Sequence, residues 1–195
     1  MMYQNPAAMS PDLHCLPLDT ARLQLRRFQP RDLAAYAGYH CRDDVYRYLY
    51  QPAPDQNAVR DQFTALLAAP FHQDGDSLHL CVTRRKDEQV LGEVLLKIGS
   101  LSALQLEVGY IFDPAASGQG YATEAVRAML QLGFEKLGAH RIFARLDALN
   151  LGSIGIVERL HFRREAHLIQ NDCFQGVWGD ELIYAMLRSE WEARA

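Results

Sequence analysis

A mixed α/β fold, with a mostly antiparallel sheet flanked by helices, is what this sequence predicts, and three observations carry it. Residues 77–112 alternate in the manner of successive hairpin strands. A helical run at 121–137 separates the last of these from another strand at 141–146, a single strand–helix–strand crossover. Two helical runs precede the hairpins. Hairpins with one crossover indicate a mixed sheet, not an all-parallel one.

The elements follow in order. Residues 1–17 hold Pro6, Pro11 and Pro17 without the basic-then-apolar pattern of a secretory signal, and read as a flexible tail ahead of one domain at 18–195. Residues 22–26 alternate as a half-buried strand. Pro30 opens a helix that continues through Leu33, Ala34 and Ala37 toward Tyr48. A second helix spans 55–68, with Val59, Phe63, Leu66 and Leu67 at helical spacing, and Pro70 ends it. Strands at 77–84 and 89–98 are joined by Arg85-Lys86-Asp87-Glu88. On the next strand, 104–112, Leu104, Leu106, Val108, Tyr110 and Phe112 face one way, and Gln105, Glu107, Gly109 and Ile111 the other. The helix at 121–137 is closed by Gly138. A strand at 141–146, a short helix at 153–160 and strands at 162–170 and 181–187 complete the chain.

Composition narrows the function. The hydrophobic fraction of 49% and charged fraction of 23% are those of an ordinary globular protein, and the net charge of -4 argues against a basic nucleic-acid footprint. The early cluster of Arg22, Arg26, Arg27 and Arg31 reads as a solvated face. Four cysteines, at 15, 41, 81 and 173, have no close pair and no metal-ligand spacing, and read as free thiols in a reducing compartment. The histidines are scattered, so no metal site is expected. No apolar run approaches the ~20 residues of a membrane span. A cytoplasmic protein with neither nucleic-acid nor membrane partners is the expectation.

The most informative segment is Phe112-Asp113-Pro114-Ala115-Ala116-Ser117-Gly118-Gln119-Gly120-Tyr121-Ala122-Thr123-Glu124-Ala125. A strand ends, two glycines follow, and a helix starts at once. Unpaired amides and the dipole at a helix start favour an anion, and glycines let the backbone approach it. The segment is a plain helix cap or a phosphate cradle. A dinucleotide fingerprint needs glycine at 123, where threonine stands, and no Gly-Lys-Ser/Thr makes a P-loop.

Ser117-Gly118-Gln119-Gly120-Tyr121-Ala122 resembles the acetyl-CoA motif of the GCN-related N-acetyltransferase (GNAT) family, Gln/Arg-x-x-Gly-x-Gly/Ala, with Ser117 departing from the usual Gln/Arg. The extension Gly-Tyr-Ala-Thr-Glu-Ala is similar to the branch of ribosomal-protein N-terminal (alanine/serine) acetyltransferases. The opening strand at 18–26, Glu107-Val108-Gly109-Tyr110, Asn150-Leu151-Gly152-Ser153, Trp178-Gly179-Asp180 and Glu190-Trp191 resemble further pieces of that branch, in the right order. The resemblance implies a single-domain sheet splayed between the strand before the loop and the strand after the long helix, with the donor acetyl-CoA in that gap. It implies coenzyme contacts at Tyr110, Ile111, Phe112, Ser117, Gly118, Gln119, Gly120, Tyr121, Ala122, Thr123 and Asn150, the last with a turn as its alternative role.

Acyl transfer to an amine needs a neutral nucleophile and a route for protons. Glu107, on the strand leading into the gap, is the candidate base, acting through water; its other reading is an exposed strand carboxylate without a role. Many family members carry a tyrosine seven residues after the asparagine, where this chain has Val157. Ser153 is therefore either the hydrogen-bond donor to the departing sulfur or the cap of the helix that begins there. His161 stands where the family has glycine, which leaves the end of that helix open, and reads as a surface residue. The implied activity is acetyl transfer to a primary amine, at a protein N-terminus or on a small molecule such as a polyamine, amino acid or antibiotic. A non-catalytic acyl-CoA-binding regulator is the other class. Asp172, Asp180 and Glu181 are either attractors of a basic acceptor or ordinary loop charges. A monomer or homodimer is expected.

Overall fold

The computed structural model describes residues 13–194. Of the expected tail, residues 1–12 lie outside the described residues. Leu13, Cys15 and Leu16 are half-buried against the main core.

Eight strands form one sheet in the order β1-β2-β3-β4-β5-β6-β8-β7. They are β1 (Leu18–Asp19), β2 (Leu23–Arg26), β3 (Ser77–Arg84), β4 (Val90–Ser100), β5 (Gln105–Phe112), β6 (Arg141–Asp147), β7 (Arg163–Phe174) and β8 (Val177–Leu187). Every neighbouring pair is antiparallel except β5 and β6. The mixed sheet read from the hairpins and the single crossover is thus the observed one. Among the described residues six α-helices flank it: α1 (Leu33–His40), α2 (Asp43–Tyr46), α3 (Gln56–Leu67), α4 (Tyr121–Gln131), α5 (Leu151–Arg159) and α6 (Arg188–Glu192).

Strand alternation sends side chains to two cores. On one face Leu23, Leu25, Leu80, Val94 and Leu106 meet Val126, Met129 and Leu130 of α4, Val157 of α5 and Leu160 just after it. On the other, Cys81 packs with Phe28, Tyr36, Tyr39, Val59 and Phe63 under α1 and α3. Each fully buried Leu or Phe contributes about 1.5–3 kcal/mol over an exposed one. A carboxyl-capped start fixes α3, where Asp55 accepts from the amides of Asn57 and Ala58.

Four boundaries differ from those expected. The first helix does not run toward Tyr48 but stops at His40, and Asp43 and Asp44 open the separate turn α2. Short acidic side chains favour the positive start of a helix over its interior. The long helix turns to wider π pitch over Leu132–Lys136 before Gly138 stops it at φ +82°. The short helix starts at Leu151, with Asn150 as its cap, rather than at Ser153. The closing strands are longer, because Gln175 and Gly176, both at positive φ, make the two-residue turn that pairs Phe174 with Val177.

His161 takes the left-handed conformation itself, φ +64°, while Phe162 N donates to Val157 O at 3.0 Å. The helix end is the usual glycine type, built on a histidine. His161→Gly is therefore expected to stabilise the protein, by about 1 kcal/mol or somewhat less after glycine's extra unfolded-state entropy. Thermal unfolding checks it, and a lower midpoint would mean that the imidazole makes a compensating contact.

Candidate functional site

The parallel pair β5–β6 is joined only at Gln105–Arg141, Leu106–Ile142 and Glu107–Phe143. Beyond Glu107 the strands part. β5 stays paired to β4 as far as Phe112, and β6 to β8 as far as Asp147. Each therefore presents an unpaired backbone edge to the gap, free to hydrogen-bond an extended ligand. The expected splay is present at the expected place.

A cleft of about 650 Å³ opens on this gap. Its wall includes Tyr110, Ile111, Phe112, Ser117, Gly118, Gly120, Tyr121, Ala122, Thr123, Asn150 and Ser153, which sequence reasoning singled out. Gln119 is not on the wall: its carbonyl accepts from Arg22 Nη1 at 2.9 Å. Glu107 is not on it either: it lies three residues before Tyr110, on the other face of β5. The wall also contains Val45, Tyr48, Leu49, Gly152, Ile156 and Arg159, which were missed. For the last three a signal existed: Gly152, Ile156 and Arg159 follow one another on α5 at four- and three-residue spacing, and Ser153 lies three residues before Ile156. For Val45, Tyr48 and Leu49 there was none, since only long-range packing brings them in.

The loop is shaped for an anion. Gly118 and Gly120 sit at φ +74° and +76°, and Gly120 is the N-cap of α4. The first-turn amides of that helix have no intrahelical acceptor. Thr123 Oγ1 is buried there with no hydrogen-bond partner among the described residues. An orphaned hydroxyl beside free amides at a helix start fits a phosphate group. From outside, Glu124 locks the loop. It accepts from Thr20 Oγ1 at 2.6 Å, Arg22 N at 2.9 Å and Arg22 Nε at 2.7 Å, and the Arg22 guanidinium also lies over the Tyr121 ring. Two segments that sequence reading matched separately, the opening strand and the post-glycine helix, are thus one contact. Of the arginine cluster read as solvated, Arg22 braces the loop and Arg26 pairs with buried Asp32, while Arg27 and Arg31 are exposed.

At α5 Asn150 supplies the cap. Its Oδ1 accepts from Ser153 N at 3.1 Å, so the cap role weighed for Ser153 belongs to Asn150. Ser153 itself lies on the cleft wall. The Ser153 carbonyl accepts from the Tyr110 hydroxyl at 3.1 Å, and burial pushes that phenol up to about 12. Val157 is fully buried in the core.

Glu107 occupies the last paired position before the gap. It is half-buried, and among the described residues nothing hydrogen-bonds its carboxylate. Burial raises its pKa, Arg145 and Lys97 pull it back, and Glu181 pushes it up again. Arg145 is committed elsewhere, with two bonds to Glu181 at 2.8 and 3.0 Å. Asp180 pairs with His167 at 2.8 Å. Two of the three carboxylates weighed as acceptor attractors therefore already hold partners. No helix among the described residues is long and apolar enough to cross a membrane.

Comparison with known proteins agrees with this geometry. The Acetyltransferase (GNAT) domain family matches residues 22–163. The chain is 27% identical to the uncharacterized N-acetyltransferase YnaD of Bacillus subtilis (strain 168), over 89% of this chain and 98% of that one. It is 23% identical to the [ribosomal protein uS5]-alanine N-acetyltransferase of Escherichia coli (strain K12), over 89% and 92%. Its fold is similar to that of a GNAT-family acetyltransferase from Bacillus anthracis, with a TM-score of 0.81, 25% identity and coverage of 90% and 100%. A spermidine N-acetyltransferase from Vibrio cholerae, solved in complex with CoA and spermine, shares the fold at a TM-score of 0.77, 18% identity and coverage of 89% and 99%.

Proposed function

The chain belongs to the GNAT acetyltransferase family, an acetyl-CoA-dependent acyltransferase family, and on that premise we propose that its acceptor is the N-terminal amine of a protein or peptide. One observation carries the choice. Glu107 is an unpaired, half-buried carboxylate beside the gap whose pKa is raised by burial yet restrained by Arg145 and Lys97. It is a modest base. An α-amine has a pKa of about 7.7–8.0 and is partly neutral at physiological pH, whereas lysine, near 10.4, asks for a stronger one. The nearly full-length similarity to an alanine N-terminal acetyltransferase supports the same acceptor.

The roles follow from position. The amides of residues 118–123 and the Thr123 hydroxyl hold the pyrophosphate, and the free edge of β5 at Tyr110, Ile111 and Phe112 aligns the pantetheine arm, with Asn150 beside it. Acetyl-CoA supplies the activated acyl group. Glu107 accepts the amine proton through water as the new N–C bond forms. The Ser153 hydroxyl donates a hydrogen bond to the departing sulfur.

A coenzyme-release assay tests the acceptor. Peptides with a free N-terminal alanine are compared with N-blocked peptides carrying one lysine, and with spermine. Turnover is expected for the free N-terminus. Preference for spermine or the blocked lysine peptide would overturn the reading.

Ser153 and Asn150 give a paired prediction. Because Asn150 makes the cap, Ser153→Ala is expected to change stability by no more than about 0.5 kcal/mol. Its kcat should fall about tenfold, the loss of one hydrogen bond worth ~1.4 kcal/mol in the transition state. Asn150→Ala should cost about 1 kcal/mol of stability. Thermal unfolding and turnover on the same preparations decide it, and unchanged kcat in Ser153→Ala removes the serine from the chemistry.

A further inference from the structure

On the sheet face beneath α1, one carboxylate is buried without a guanidinium or ammonium beside it. Glu93 of β4 is 2% exposed. Its Oε1 lies 3.5 Å from His40 Nε2, and its Oε2 lies 3.6 Å from His79 Nδ1. Glu93 Oε2, His40 Nε2 and His79 Nδ1 are buried with no hydrogen-bond partner among the described residues, and so is the Tyr39 hydroxyl. The titratable groups around the carboxylate are Tyr36, Tyr39 and His40 from α1, Tyr46 from α2, and His79 and Cys81 from β3. α3 brings only the apolar Val59, Phe63 and Leu66 to this core, and β5 brings Ile111. Arg26, which also acts on Cys81, is held by Asp32 at 2.7 Å. Burial pushes the Glu93 carboxyl up, and the two imidazoles more than offset it.

Merely holding α1 on the sheet would be cheaper with apolar side chains, because buried charge carries a desolvation cost. The network continues instead toward the cleft. His40 Nδ1 lies 2.7 Å from the Tyr46 hydroxyl, and the Tyr36 ring stacks on His40 with centroids 3.8 Å apart. The Tyr46 hydroxyl and His40 Nδ1 share this one bond, and which of them donates follows the imidazole tautomer. Tyr46 belongs to α2, a single turn, too short to be stable on its own. Its neighbours Val45, Tyr48 and Leu49 wall the cleft. Two tyrosines fasten this segment: Tyr46 to His40, and Tyr50 to the Asp147 carboxylate at the end of β6.

We infer that Glu93 is a positioning residue, which through His40 and Tyr46 fixes α2 and with it one wall of the acetyl-transfer cleft. This rests on the reading of that cleft given above. The pyrophosphate loop has its own anchor at Arg22 and Glu124, so loosening α2 leaves it in place.

Two variants test the inference. Tyr46→Phe removes one hydroxyl and leaves the buried carboxylate alone, and Glu93→Gln keeps the shape without the charge. Hydrogen–deuterium exchange follows residues 42–50. Calorimetry compares acetyl-CoA with 3′-phospho-ADP, which carries the pyrophosphate but neither pantetheine nor acetyl. Both variants are expected to exchange faster at 42–50 than elsewhere and to lose about tenfold in acetyl-CoA affinity, with 3′-phospho-ADP binding unchanged. KM for the free N-terminal alanine peptide should rise more than kcat falls. Should Glu93→Gln not fold, Tyr46→Phe carries the test. Unchanged exchange at 42–50 in Tyr46→Phe, or equal losses for the two ligands, would overturn it. If the wild type turns over no amine, the function reading fails, while exchange and the two affinities still decide the anchor.

Discussion

Replacing Gly120 with valine is expected to weaken acetyl-CoA binding by about a hundredfold or more, with the fold retained. Two costs add. At φ +76° a β-branched residue is strained by about 1–3 kcal/mol. If the loop relaxes to relieve that strain, the first-turn amides of α4 swing off the anion, and each charge-assisted hydrogen bond lost is worth about 1.5–3 kcal/mol. Some 2.7 kcal/mol in total corresponds to a hundredfold. The substitution sits in open space, since a Cβ there would meet only Arg22 Nη2, at 3.6 Å. No core atom is displaced, so the damage falls on the loop. Calorimetry with acetyl-CoA, next to a thermal melt, reads both effects. A folded variant with wild-type affinity would mean that the pyrophosphate is held elsewhere.

What the sequence made legible was whatever depends on local pattern. Period-two alternation located β3 to β5, the Ser117–Thr123 signature located the loop, and the family order of segments located the splay. Boundaries set by packing across the fold were not legible. In the run through Tyr48 only Asp43 and Asp44 hint at a new helix start, while the contacts His40 makes with Tyr46 and with Glu93, some fifty residues away, appear only in the folded chain. Of the two roles weighed for Ser153, the cap falls to Asn150 for a similar reason. A cap is defined by where the helix starts, and the start moved by two residues, to Leu151. Gln175-Gly176 was a readable hairpin turn that went unused. The charges on Glu181 and Asp180 were visible as charges, while their partners Arg145 and His167 became visible only with the strand register.

Glu107→Gln is expected to lower kcat by about 10²–10⁴, the range typical for loss of a general base, with acetyl-CoA affinity little changed. Glutamine keeps the side chain's shape but cannot accept the proton. The pH dependence separates this from a packing effect. The wild-type carboxylate, raised by burial first, loses its basic form at higher pH than an ordinary glutamate. Wild-type turnover should therefore fall as pH drops through that raised value, on top of the fall caused by protonating the acceptor amine, and in the variant only the amine's limb should remain. The wild-type to variant ratio should be widest above the carboxyl's pKa and narrow below it. Stability should move the other way. A folded-state carboxyl pKa above its unfolded value means that the ionised group opposes folding: the stability present below the unfolded pKa is lost as pH rises through the folded one. Near neutral pH, Glu107→Gln should thus melt no lower than the wild type, and somewhat higher if the relief is realised. A carboxylate kept for structure would give the reverse, a lower melting point with kcat intact, and that pair of results would remove Glu107 from the chemistry. Retaining a side chain that weakens the fold is the expected trade where a base must sit half-buried, unpaired and next to the reacting gap.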